Sequence, residues 1–227
     1  HIAIFQPPTL KDSSQLTPFT NQSWDLFVVF AYGKIIPEWL LKLPKYGTIN
    51  AHPSLLPKLR GASPIRSTLL NDLAAAGVTI MQMDEELDHG PILHQQAVNL
   101  PNPILGRDLD KTLSLMCGNL LAHVIQELPN GNIVPAPQHH EHATFCTKIT
   151  KDMAELTLDP ENLPTGNEAL QVYRKICAFD GWPEAYFVHN DKRIKIKAAH
   201  LDDSGKLLIT KIVPEGKKEM DFCVYFS

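Results

Sequence analysis

Asn50 and His52 stand two residues apart in the stretch NAHPSLLPKLRGASPI, and Asp88 closes a second stretch, MDEELDHG, just ahead of Gly90. These residue types suit the transfer of a carbonyl carbon without a metal. An asparagine amide can donate a hydrogen bond to a developing oxyanion. A histidine titrating near neutrality can shuttle a proton, and a carboxylate can orient the imidazole and stabilise its charged form. Residues two apart on a strand project to the same face, so Asn50 and His52 could address one reacting centre by acyl or formyl transfer. A plainer reading has both residues satisfying backbone groups at a loop, and spacing alone leaves the two open. Ser54 is a rival nucleophile, but it lacks the Gly-x-Ser-x-Gly elbow that exposes a catalytic serine. His139, His140 and His142 lie in a polar stretch with Glu141 and no cysteine, so no metal centre is expected there.

The elements that must carry these residues follow from hydrophobic periodicity. Residues 1–5, 25–33, 46–52, 77–83 and 91–98 read as strands, the 25–33 run being apolar enough for a strand buried on both faces. Helices are expected over 37–43, 63–75 and 108–128. In the last, Leu109, Leu113, Met116, Leu120, Val124 and Leu128 form a stripe, Asp108 caps the start and Asn130-Gly131 ends it. Strands alternating with helices predict an α/β fold: a Rossmann-like, mostly parallel sheet with helices on both faces. Ligands bind such sheets at the carboxyl ends of strands, where Tyr32 and Gly33, Asn50 and His52, and the run into Asp88 fall. The reading assigns 1–130 to this domain and 131–145, rich in proline and histidine, to a linker. Residues 146–227 form a small β-barrel-like C-terminal domain, with a helix near 166–179 and strands in EAYFV, KRIKIKAAHL and KLLITKIV.

The chain has 227 residues, a net charge of −4 and 44% hydrophobic residues. That is enough for one or two ordinary globular domains, and the total charge demands neither nucleic acid nor membrane. The apolar runs are too short to cross a bilayer. Cys117, Cys146, Cys177 and Cys223 are widely spaced, which suits reduced thiols better than a disulfide framework. Residue 1 is His rather than Met.

The strings INAHPSLLPKLRGASPI and GVTIMQMDEELDHGPIL closely resemble the formyltransferases that use 10-formyltetrahydrofolate. AYGKIIPEWLL, RGASPI and VTIMQMDEELD together bring the match to the branch that acts on methionyl-tRNA. FQPPTL, FDGWPEAYF and PEGKKEM extend it along essentially the whole chain. The resemblance implies that Asn50, His52 and Asp88 are the catalytic trio. It implies that Tyr32, Gly33, Ile35, Ile36, Ser54, Leu55, Leu56, Pro57, Asp84 and Leu87 surround the folate donor. The acceptor it implies is methionine on initiator methionyl-tRNA, with Arg60, Arg193, Lys195 and Lys197 as candidate tRNA contacts. Pro53 and Pro57 would stiffen the loop presenting His52. A monomer is expected, in a bacterial cytoplasm or an organellar matrix, with no membrane and no metal.

The chain departs from the family pattern in places. His89 stands where the family has a small residue; it could perturb Asp88 or be a harmless surface variant, and we expect the second. The family's first strand, helix and second strand would precede His1, together with an inserted basic loop that meets tRNA. A sheet without its central strand is expected to be unstable alone. Residues 151–227 hold 11 Lys/Arg against 13 Asp/Glu, a net charge of −2. Arg193, Lys195 and Lys197 still share a strand face and, with Lys211, Lys217 and Lys218, could meet phosphate; an ordinary solvated face is the equal alternative. Competing functions are formylation of a nucleotide-linked amino sugar, and folate or tRNA binding without turnover.

Overall fold

The computed structural model describes residues 3–12, 16–101 and 103–226. Two compact units are present: 1–64 with 77–98 and 113–146, and 65–76 with 99–112 and 147–227. In chain order, the elements begin with α1 (Thr17–Thr20), β1 (Phe27–Val29), α2 (Glu38–Leu41), β2 (Thr48–His52), β3 (Arg60–Gly61) and α3 (Pro64–Asn71). They continue with β4 (Gly77–Gln82), β5 (Ile92–Ala97), α4 (Gly106–Glu127) and β6 (Phe145–Cys146).

The first unit is organised by a four-stranded sheet in the order β1-β2-β4-β5. β2 and β4 are its centre, and their β-branched and apolar side chains, including Ile49, Val78 and Ile80, are fully buried. β1 lies at the edge, so the expected burial on both faces is not met: Val28 is 44% and Phe30 48% exposed. The expected strand at 1–5 also differs. Residues 1 and 2 lie outside the described residues, and 3–5 are exposed without strand pairing.

β1 pairs with β2 in parallel, as expected, whereas β2 with β4 and β4 with β5 run antiparallel. The connection explains the β4–β5 pair: nine residues join Gln82 to Ile92, too few for the crossover that a parallel pair needs. Asn50 and His52 therefore have antiparallel neighbours on β4, Met81 and Thr79 respectively.

Helix α4 begins at Gly106, so Asp108 sits inside its first turn rather than capping it. Its carboxylate there still complements the helix dipole. The buried seam runs Leu109, Leu113, Cys117, Leu120, Val124, passing through Cys117 where Met116 was expected. Burial raises the Cys117 thiol pKa to about 11, which keeps it an inert packing residue.

The second unit holds α5 (Gly166–Ala178), β7 (Tyr186–His189), β8 (Lys192–Leu201), β9 (Leu207–Pro214), β10 (Met220–Asp221) and α6 (Phe222–Tyr225). Its strands form an open antiparallel sheet in the order β10-β9-β8-β7, rather than a closed barrel. Asn190 and Asp191 join β7 to β8 with φ of 49° and 58°, the left-handed pair that a two-residue hairpin turn requires. Alternation along β8 buries Ile194 and Ile196 with Phe179, Phe187, Leu207 and Ile212, and turns Arg193, Lys195 and Lys197 outward. Among the described residues, no helix is long and apolar enough to cross a membrane.

Because Ile80 is fully buried at the centre of the first sheet, Ile80→Ala should lower unfolding free energy by about 2–5 kcal/mol. Val28→Ala at the exposed edge should change it by less than about 1 kcal/mol. Urea unfolding of both variants tests this, and equal losses would contradict the assigned core.

Candidate active site

Strand β2 carries His52 into the protein interior, where it is 4% exposed. Its Nε2 lies 3.0 Å from the carbonyl oxygen of Leu59. A carbonyl only accepts, so Nε2 holds the proton and donates, leaving the lone pair of the neutral ring on Nδ1. Nδ1 faces Asp88 Oδ2 at 3.7 Å. That distance exceeds a hydrogen bond but lets the carboxylate stabilise a ring that has taken up a proton. Burial lowers the His52 pKa, and nearby Arg60 adds to the effect; Asp88 and the Leu59 carbonyl oppose it. The ring is thus neutral and basic at Nδ1 at neutral pH.

Backbone conformation sets this geometry. Leu59 has φ 58°, rare for a branched side chain, and this aims its carbonyl at His52. Its N–H donates to Thr144 Oγ1 at 2.9 Å. Gly61 follows with φ 119°, and a Cβ there would lie 2.2 Å from the Cys146 carbonyl oxygen. Its N–H donates to Asp88 Oδ2 at 2.8 Å. Asp88 itself adopts φ 49°, which aspartate tolerates better than most residues.

The sheet alone does not bring Asp88 to His52. With β4 antiparallel to β2, the carboxyl end of β4 lies beside Thr48, whose carbonyl accepts from Met83 N at 2.8 Å. The turn from Asp84 to Gly90 makes the delivery. Asp84 Oδ1 accepts from Glu86 N at 3.0 Å, and a Cβ on Gly90 would lie 2.0 Å from the Gln82 carbonyl oxygen. His89 is held by Asp84 Oδ2 at 2.7 Å and stacks on His140 with ring centroids 4.0 Å apart.

Asn50 is half-buried on the same strand. Among the described residues its amide makes no hydrogen bond, so it can donate to a substrate oxygen.

Other expected site residues are placed differently. Ser54 is fully buried and its hydroxyl donates to the Lys58 carbonyl at 2.6 Å. Leu56 is 2% exposed, and its N–H donates to Thr79 Oγ1. Leu55 packs beside Gly77, and Pro57 accepts from Thr144 N at 3.2 Å. Tyr32, Ile35 and Leu87 are exposed apolar surface, 45%, 93% and 63% respectively. Gly33 has open space where a Cβ would stand, and Ile36 packs with Leu10, Leu16 and Leu40.

Arg60, a candidate tRNA contact, has internal partners in the first unit. It is 4% exposed, and its guanidinium donates to Gln138 Oε1 and His140 Nδ1. The outward cations of the second unit are also engaged. Lys195 and Lys197 both pair with Glu184, whose pKa they lower against its own burial. Arg193 lies over the Tyr186 ring at 4.2 Å, Lys211 pairs with Asp221, and Lys217 lies over Tyr225.

Residues 136–146, which overlap the stretch expected as a linker and run one residue past it, supply Gln138, His140, Thr144 and Cys146 to the first unit. β6 pairs in parallel with β3, Phe145 with Arg60 and Cys146 with Gly61. The Gln138 side chain is 5% exposed. One glutamine after three prolines gives no periodicity, so sequence pattern did not single it out. Among the described residues, no cluster of His, Cys, Asp and Glu is placed to hold a metal ion.

A buried His–carboxylate pair and an available amide on an α/β unit supply parts that transfer of a carbonyl group needs. The model of the formyl transferase family matches residues 4–111, and that of its C-terminal domain matches 166–206. A protein of Rickettsia bellii named methionyl-tRNA formyltransferase is 35% identical, the alignment covering 97% of this chain and 76% of the relative. One of the same name from Pseudoalteromonas translucida is 32% identical, covering 97% and 74%. The structure of methionyl-tRNA formyltransferase from Clostridium thermocellum superposes with a TM-score of 0.60 at 18% identity, covering 87% of this chain and 78% of that one, which shows a shared fold. The chain belongs to the methionyl-tRNA formyltransferase family.

The lowered His52 pKa has a consequence for stability. Below about pH 6.5 the unfolded histidine takes up a proton that the folded one refuses. The contribution of His52 is therefore complete above about 6.5 and is lost as pH falls toward the lower folded value. His52→Gln should flatten the acid limb of stability in the range below about pH 6.5, by up to about 1.4 kcal/mol per pH unit. Denaturant unfolding across that range measures it, and identical slopes would contradict the buried neutral ring.

Proposed function

We propose that this protein transfers the formyl group of 10-formyltetrahydrofolate to the amino group of methionine on initiator methionyl-tRNA. The observation that carries the proposal is the 35% identity, over 97% of this chain, to a protein named methionyl-tRNA formyltransferase. The arrangement of Asn50, His52 and Asp88 supports it.

The donor supplies a formyl carbon on a good leaving nitrogen. Exposed apolar side chains of Tyr32, Ile35 and Leu87 suit a flat heteroaromatic ring, and these residues would hold it. Asn50 donates to the carbonyl oxygen as negative charge builds on it. His52 Nδ1 takes the proton released by the attacking amine and returns it to the departing nitrogen, so one N–C bond forms and one breaks with the proton conserved. Asp88 stabilises the imidazolium in between.

The division into residues 1–130, a connecting 131–145 and 146–227 is part of this reading, with the matched C-terminal family domain on the tRNA side. The protein would act as a monomer in the compartment where translation starts, a bacterial cytoplasm or its organellar equivalent.

Asp88→Asn should reduce formyl transfer by at least about 100-fold with little change in thermal stability, and Asn50→Ala by about 100- to 1,000-fold. The assay offers 10-formyltetrahydrofolate with charged initiator tRNA and, in parallel, with a nucleotide-linked amino sugar. Formylation of the sugar alone would overturn the proposed acceptor, and undiminished transfer by Asp88→Asn would remove that carboxylate from the mechanism.

A further inference from the structure

Gln138 occupies an unusual position for a residue outside the catalytic trio. One amide nitrogen, Nε2, donates to two carbonyls of the catalytic turn: Asp88 O at 2.9 Å and Gly90 O at 2.7 Å. Its Oε1 accepts from two nitrogens of Arg60, Nε at 3.2 Å and an Nη at 2.6 Å. Both ends of the amide are fully used. Its orientation is fixed by its partners, since carbonyls only accept and a guanidinium only donates.

Arg60 and Gln138 are 4% and 5% exposed, so water competes little for these bonds. The guanidinium also meets His140 Nδ1 at 2.8 Å, and His140 stacks on His89, the neighbour of Asp88. Arg60 lies on β3 immediately before Gly61, whose N–H holds the Asp88 carboxylate. The backbone and the carboxylate of Asp88 are thus anchored from one two-residue strand, directly through Gly61 and indirectly through Gln138.

We propose that Gln138, oriented by the buried Arg60, is a positioning residue: it fixes the left-handed backbone of Asp88 so that the carboxylate faces His52. The inference rests on the catalytic reading of Asp88 given above. It assigns Gln138 no contact with substrate.

Gln138→Glu keeps the shape and can still accept from Arg60, but it sets a carboxylate oxygen against the two turn carbonyls. In the full gene product, with 10-formyltetrahydrofolate and methionyl-tRNA, kcat should fall by about 10- to 100-fold while KM for each substrate stays within about 2-fold. The double variant Gln138→Glu/Asp88→Asn should be no slower than Asp88→Asn alone, because both changes act through one carboxylate. In Gln138→Asn, which adds no charge beside Arg60, a displaced Asp88 should also stabilise the His52 imidazolium less, moving the acid limb of the kcat–pH profile to lower pH; Asp88 and Arg60 are the charged groups that face this ring. Should Gln138→Glu fail to fold, Gln138→Asn carries the same test, since the shorter side chain cannot span Arg60 and the turn together.

An unchanged kcat in the folded variant would overturn the positioning role. So would an equal fold-loss from Gln138→Glu in the Asp88→Asn background, which would mark a purely structural effect. If Asp88→Asn alone were fully active, the catalytic reading of Asp88 would fall first and this inference with it, a result distinct from the other two.

Discussion

The site depends on a neutral histidine kept out of water. His52 sits between a carbonyl that fixes its proton on Nε2 and a carboxylate at ion-pair distance from Nδ1. Burial opposes charge on the ring, and Asp88 limits how far that opposition goes. A ring charged at rest could not accept a proton, and a ring with no carboxylate nearby would hold one poorly. The rest of the first unit serves to hold those two partners.

That holding is done by loops. Three successive devices, the left-handed backbones of Leu59, Gly61 and Asp88, lie within hydrogen-bond reach of the histidine or its carboxylate. Non-glycine residues in that region cost about 1–3 kcal/mol each unless the surroundings compensate. The compensation comes from 136–146, through Thr144 on Leu59 and Gln138 on the Asp88 turn. Cys146 shares the Leu59 carbonyl with His52, its sulfur 3.4 Å away. A short strand pair, β3 with β6, keeps this segment in register with the loop that carries Leu59 and Gly61.

Much of this was legible in the sequence, for identifiable reasons. Apolar pattern located β2, β4, β5, α4, α5 and the long strands β8 and β9, and burial is periodic along α4 and β8. Asn50, His52 and Asp88 stood out by type and spacing, although the strand-end argument gave the wrong route for Asp88: a turn, and not the sheet, brings it to His52. The edge position of β1 was not legible, since an apolar run does not say how many neighbours a strand has. Arg60 and Gln138 did not stand out as partners for a common reason. An arginine in a proline-rich loop and a glutamine in a polar stretch both read as solvent-facing, and only tertiary pairing makes them mutually buried. The outward lysines of β8 were read correctly as to face, but their pairing with Glu184 was invisible at a separation of 11 and 13 residues.

The central claim, a neutral His52 with its proton on Nε2, is most directly tested by nitrogen-15 NMR of the histidine side chains in the full gene product, with His52 assigned by substitution. At pH 7 the account predicts a neutral ring with a protonated Nε2 and an unprotonated Nδ1. An imidazolium, or a neutral ring protonated on Nδ1, would contradict it.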